Sequence, residues 1–206
     1  MITRLYLSAV LATSLISASP ASASPAAWPE ITEEALAPKM APAGHDVTIV
    51  VFSDYRCPYC MRLHAVLQQA MQRDHKVRIV YRDWPIFGEA SARAARLAIA
   101  SQFQHKYEAF NNTLFALSGH LDDASLRLAA RQAGVNWGQL QRDLALHDRQ
   151  IARLMGRSDA AAKTLGFEGT PGLLVGTTRA FGAPDLAELE ELIRQARNQP
   201  SSKPAA

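Results

Sequence analysis

The sequence predicts an α/β fold: a βαβ unit and a later ββα unit built around one central sheet, with a helical domain inserted between them. Three observations carry this. Val47-Thr48-Ile49-Val50-Val51-Phe52 is an uncharged run of strand-forming residues that passes through a short polar turn into a helical pattern. Alternation returns at residues 77–81, and then no strand pattern occurs between Pro85 and about Leu165. Sheet character reappears at Gly172-Leu173-Leu174-Val175, ahead of a last amphipathic helix.

In chain order, residues 1–23 carry the marks of a secretory signal: Arg4 near the start, an apolar run over 5–16, and Ala21-Ser22-Ala23 as a small-x-small cleavage site. The apolar run falls short of the roughly 20 residues that a membrane-spanning helix needs. Residues 24–44, rich in Pro and Ala, are expected to be a lead-in with one helical turn near 31–36. Residues 45–86 form the first half of the sheet unit. Within it, Leu63, Val66, Leu67, Ala70 and Met71 repeat at helical spacing over 58–73.

Residues 87–166 form the helical domain, with periodic segments at 92–101, 107–117 and 124–133 and a long stripe through Leu140, Leu144, Ile151 and Met155. Asp122, Asp123 and Asn136 are helix-start residues and Gly134 a stop. Residues 167–199 hold the second sheet half, in which Gly176-Thr177-Thr178 turns the chain into Arg179-Ala180-Phe181 and the final helix begins at Pro184. Its acidic residues come early and its Arg residues late, as the helix dipole favours. Residues 200–206 are a solvated tail.

The net charge of +3 and a pI near 9.0 come without any long run of Lys or Arg, which argues against nucleic-acid binding. The only two cysteines, Cys57 and Cys60, sit where the first strand hands over to its helix. With Pro58 in the first turn, Cys57 lies at the helix N-terminus, where free N–H groups and the positive dipole end lower a thiol pKa into roughly the 3.5–7.5 range. Cys60 shares the Leu63 face, so Cys57 is expected to be exposed and to attack, and Cys60 to be shielded and to resolve. A bridge closing so short a loop stabilises the fold little, which disfavours a purely structural role.

The stretches Phe52-Ser53-Asp54-Tyr55-Arg56-Cys57-Pro58-Tyr59-Cys60, Arg82-Asp83-Trp84-Pro85-Ile86-Phe87-Gly88, Gly169-Thr170-Pro171-Gly172 and Phe181-Gly182-Ala183 together resemble the DsbA-like thioredoxin-fold disulfide oxidoreductases. The resemblance covers nearly all of the chain after residue 23. It implies a thioredoxin fold with a helical insertion and a cis proline at Pro171 facing the cysteines. Thr170 would then have a backbone free to pair with an extended peptide. It also implies catalysis by Cys57 and Cys60 through a mixed disulfide, with Pro58, Tyr59, Thr170 and Pro171 on the substrate side and no cofactor or metal. The expected setting is the periplasm, with protein thiols or disulfides as substrates, a membrane redox partner, and a monomeric state.

Two departures bear on chemistry. Val51 stands where many thioredoxin-fold enzymes carry a proton-shuttling acid, which leaves that role unassigned. Thr170 replaces the valine, and Pro58-Tyr59 the Pro-His, of strongly oxidising members, so the isomerase and reductase directions stay open beside the oxidase one, with a less extreme redox poise.

A second reading is a Cu(I)-binding module, since two soft thiolates suit that ion, although only Met61 lies beside the pair. Zinc would want a fourth ligand beyond Cys57, Cys60 and His64, and His64 is expected on the helix surface. Trp84, Phe87 and Phe110 are expected in the core or a hinge, and Asp54 as a cap of the turn backbone.

Overall fold

The computed structural model describes residues 28–198; the signal and tail predicted at 1–23 and 200–206 lie outside the described residues. Five strands form one sheet in the order β1-β3-β2-β4-β5: β1 (Lys39–Met40), β2 (Val47–Ser53), β3 (Val77–Asp83), β4 (Gly172–Val175) and β5 (Thr178–Phe181). β2 is parallel to β3, with Val47 opposite Val77 and Ser53 opposite Asp83, and antiparallel to β4. Strands covered on both faces are apolar on both faces. That is why β2 has no polar alternation and why Ile49, Val50, Val51 and Phe52 are all buried.

Helix α2 (Pro58–Arg73) makes the crossover from β2 to β3, burying Cys60, Leu63, Leu67 and Ala70, and α7 (Leu186–Asn198) packs beside it. Arg197 of α7 pairs with Asp74 at the end of α2 and with Asp46 just before β2. Between the sheet halves come α3 (Glu89–Ser101), α4 (Tyr107–Ala116), α5 (Asp123–Gln132) and the 28-residue α6 (Trp137–Thr164). α6 lies along α3 and reaches β3. Asp122 and Asn136 cap α5 and α6 by accepting from Ser125 N and Gln139 N, as expected. Gly134 stands at φ +68° after α5, a conformation that costs glycine nothing. The α/β class with a helical insertion is thus as predicted.

Three local expectations are corrected. The N-terminal helix, α1 (Trp28–Thr32), lies earlier than the turn expected near 31–36, and the segment after it supplies β1, antiparallel to β3. The cause is Arg82 of β3, 1% exposed, which donates to the carbonyls of Glu30 and Ile31 and to Ser158 Oγ of α6. A buried guanidinium is tolerated only with such acceptors, and no periodicity announces them. The last helix starts after Pro184 because Asp185 and Glu188 form a reciprocal capping box, each side chain accepting from the other's N–H at 2.9 Å. Phe87, expected in the core or a hinge, is 46% exposed, whereas Trp84 and Phe110 are buried.

Gly172 follows Pro171 directly and lies opposite Phe52 in β2. A Cβ there would meet the Phe167 ring at 2.7 Å. Gly172→Ala is expected to cost about 1–3 kcal/mol by overpacking, read as a lower urea midpoint with an unchanged slope.

Candidate active site

The centre of the site is the turn between β2 and α2. α2 begins at Pro58, whose fixed φ suits a first helical turn and whose missing N–H would be unpaired there anyway. Cys57 is the N-cap, in extended conformation, so its sulfur faces the free N–H groups of that turn. The turn is closed by Cys57 N donating to Asp54 O at 3.1 Å. Asp54, itself buried, is the knot of the region. Its Oδ1 accepts from Arg56 N and Ser91 Oγ at 2.7 Å each, and its Oδ2 from Ile86 N at 2.7 Å and Phe87 N at 3.0 Å. The expected turn cap is therefore present, and it extends to α3 and to the loop after β3. Arg56 Nη1 adds a bond to Phe87 O.

Thr170, 113 residues beyond Cys57, and the Pro171 that follows it join this turn through tertiary structure. The peptide between them is cis. Cys57 Sγ donates to Thr170 O at 3.2 Å, and this cover corrects the expectation of an exposed thiol: Cys57 and Cys60 are each 1% exposed. The chemical asymmetry is nevertheless as expected. The Cys57 pKa is lowered to about 5, chiefly by a hydrogen bond from the Cys60 thiol, against burial, and further by the Thr170 side chain and the Cys60 and Tyr59 N–H groups. The neighbouring thiol thus acts together with the first-turn N–H groups of the helix terminus. Thr170 Oγ1 is buried with no other partner and can turn to the sulfur once it ionises. Burial, then the adjacent Cys57, pushes the Cys60 thiol far up, and Asp54 N lies 3.5 Å from its sulfur.

Pro58 and Tyr59 are exposed beside the cysteines, with Arg62 stacked 4.3 Å over the Tyr59 ring. Ile86 and Phe87, whose backbone Asp54 holds, are exposed too. Phe181, opposite Gly172 in the sheet, is also exposed. From the helical insertion, Gly119 abuts Met61 and the Arg56 backbone. A groove of about 360 Å³ between β5 and α7 contains neither cysteine.

His64 is corrected from a surface residue to a half-buried one, its ring stacked on Phe115 at 4.5 Å and its Nδ1 buried without a partner. Among the described residues no three His, Cys, Asp or Glu side chains are arranged to hold a metal ion, so the Cys57, Cys60 and His64 set is not gathered as one. Val51 lines a small cavity next to Cys60. A buried acid that the sequence did not single out is Asp83, which burial raises to about 7 and whose Oδ2 has no partner. Only its place in the Arg82–Gly88 stretch hinted at it.

The profile of the DSBA-like thioredoxin domain matches residues 48–194. Among solved structures, the chain is similar to a thioredoxin-like oxidoreductase from Silicibacter pomeroyi DSS-3, with 37% identity, TM-score 0.79, and coverage of 84% of this chain and 98% of that one. It is similar to a periplasmic thioredoxin-like protein from Salmonella enterica serovar Typhimurium at 24% identity and TM-score 0.77, covering 85% and 98%. A third similar structure is the thiol-disulfide exchange protein alpha-DsbA2 from Wolbachia pipientis, at 25% identity and TM-score 0.77, covering 82% and 92%. Among curated relatives, Na(+)/H(+) antiporter NhaA 3 from Salinispora tropica is 26% identical over 152 residues, 73% of this chain. The chain spans 23% of the length of that relative.

The thiol asymmetry is directly measurable. Iodoacetamide should alkylate the reduced protein at Cys57 with a pH midpoint near 5, while Cys60 stays unlabelled through neutral pH. Peptide mapping that finds Cys60 labelled first would reverse the assignment.

Proposed function

The chain belongs to the DSBA-like thioredoxin domain family, and from that premise we propose that it is a thiol-disulfide oxidoreductase acting on protein disulfides. The observation that carries this reading is the Cys57–Cys60 pair itself. Within one turn of helix, one thiol is held near pKa 5 by its neighbour and the other is held protonated by burial. Attack needs a thiolate, and resolution needs a second thiol that waits.

In the proposed reaction the Cys57 thiolate attacks one sulfur of a client disulfide, forming a mixed disulfide and releasing the first client thiolate. Cys60 then loses its proton and attacks Cys57 Sγ, releasing the second client thiolate and leaving a Cys57–Cys60 disulfide. The client gains two electrons and the protein loses them; the reverse sequence oxidises a dithiol client. A pKa of about 5 for Cys57 lies inside the roughly 3.5–7.5 span of activated thiols rather than at its lower end, which supports an intermediate redox poise. A redox partner must restore the starting state after each turnover, and we assign that to a membrane protein.

Thr170 and Pro171 serve as the docking edge for client backbone, with Pro58 and Tyr59 beside it. The exposed rings of Tyr59, Phe87 and Phe181, together with Ile86, supply an apolar rim suited to the side chains of an unfolded protein segment. The signal pattern of residues 1–23 and the similarity to a periplasmic Salmonella protein support the periplasm as the location.

Cys57→Ser should abolish reduction of a disulfide-bonded protein in thiol buffer while the far-ultraviolet circular dichroism is retained; an unchanged rate would refute the oxidoreductase reading, and stoichiometric copper in the purified wild type without turnover would replace it with the Cu(I) one. Phe87→Ser combined with Tyr59→Ser should raise KM for the protein disulfide several-fold and leave the rate with a small aromatic disulfide unchanged. Equal loss on both substrates would remove the apolar rim from substrate binding.

A further inference from the structure

If Cys60 resolves the mixed disulfide, its proton must leave from a place closed to bulk solvent. Cys60 is 1% exposed and its thiol is held protonated by burial. Val51 offers no acceptor. The small cavity beside the sulfur is lined by Val51, Ser53, Cys60, His64, Tyr81 and Phe115, and its volume of about 10 Å³ is close to that needed for one water. His64 follows Cys60 by four residues in α2, which puts both side chains on one face of the helix. Its Nδ1 is buried with no hydrogen-bond partner, while the residue as a whole is half-buried and keeps part of its surface in solvent.

We propose that His64 is the proton acceptor for Cys60 in the resolving step, taking the proton through a single water in this cavity and passing it outward. This rests on the reading of Cys60 as the resolving thiol. The step balances: Cys60 S–H gives its proton to His64, its sulfur bonds to Cys57 Sγ, and the Cys57–client S–S bond breaks with the electron pair going to the client thiolate.

The surroundings of the ring favour a base. On its own helix it faces Cys60; from α4, Phe115 and Asn112; from β2, Ser53; and from β3, Tyr81. None carries a charge at neutral pH, since burial pushes the Tyr81 phenol well up. Burial holds the His64 pKa below the ordinary imidazole value, and Asn112 opposes that. The Asn112 Oδ1 is itself buried without a partner; it lies outside hydrogen-bond geometry and can receive the ring N–H of an imidazolium after a small shift. A neutral imidazole with an acceptor waiting for its charged form is suited to general-base work. Ser53 and Tyr81 are protonated donors, and Asp83 does not line the cavity.

The test is stopped-flow reaction of the reduced protein with an aromatic nitrobenzoate disulfide, whose thiol product is coloured. The first burst reports attack by Cys57 and the second reports resolution by Cys60. In the wild type the second phase should rise with pH only through the His64 titration, below the ordinary imidazole range, and then level off. In His64→Gln it should slow by about tenfold or more at neutral pH and keep rising into the alkaline range, with the first phase unchanged. His64→Glu, which restores a titratable acceptor, should recover most of the rate. If Gln at this position does not fold, His64→Phe, which keeps the stack on Phe115, is read the same way.

A second phase with wild-type rate and pH profile in these variants overturns the proposal. So does an equal slowing of both phases, or a loss seen in Asp83→Asn but not in His64→Gln. A second phase that survives in Cys60→Ser is a different failure, because it removes the resolving role of Cys60 itself.

Discussion

The Asp54 carboxylate is the interaction on which the site depends. It is buried, and a buried carboxylate is tolerated only when its oxygens are hydrogen-bonded. Asp54 meets that condition with neutral donors drawn from three places: Arg56 N of its own turn, Ser91 Oγ of α3, and the N–H groups of Ile86 and Phe87 after β3. Its backbone does the complementary work, with its carbonyl accepting from Cys57 N and its N–H lying against Cys60 Sγ. One residue thus fixes the cysteine turn, the exposed Ile86–Phe87 loop and the start of the helical insertion with respect to one another.

The second dependence is the difference between two chemically identical side chains three residues apart. Helix geometry turns Cys60 inward with Leu63 and Leu67 and leaves Cys57 at the cap. Each thiol then shifts the other in opposite directions. Cys60 donates to the Cys57 thiolate and lowers its pKa, and the charge so stabilised makes ionisation of Cys60 still less favourable. Thr170 reaches both sulfurs from across the site: its side chain lowers the pKa of each, while its carbonyl accepts from the Cys57 thiol. The pair therefore cannot ionise together, which is the property a stepwise exchange requires.

The insertion contributes more than bulk. α4 brings Phe115 over both Tyr55 and His64, and it places Asn111 where the Tyr55 hydroxyl donates to it at 2.8 Å. α6 brings Ser158 to Arg82 and Asp159 to the Trp84 indole. The polar groups flanking the end of β3 are thus satisfied largely by a segment that sequence order places outside the sheet unit. Asp83, raised to about 7, sits at that same strand end.

Much of this was legible in the residues. The uncharged 47–52 run, the helical spacing after Cys60, the Asp122 and Asn136 caps, and the position of Cys57 before Pro58 are local patterns, and local sterics and hydrogen bonding decide local structure. The inward turn of Cys60 and the cap position of Cys57 followed from the same periodicity. The cover over Cys57 did not, because it comes from Thr170 more than a hundred residues away. Nor did β1 or the placement of α1, which depend on where the buried Arg82 finds its carbonyl acceptors. His64 had the spacing of a helix shoulder, and only the packing of α4 turned that shoulder into the wall of a cavity. The sequence by itself determined where the two thiols stand in the chain and on the helix; their burial and their hydrogen-bond partners, which set their pKa values, were decided by segments that meet only in the folded protein.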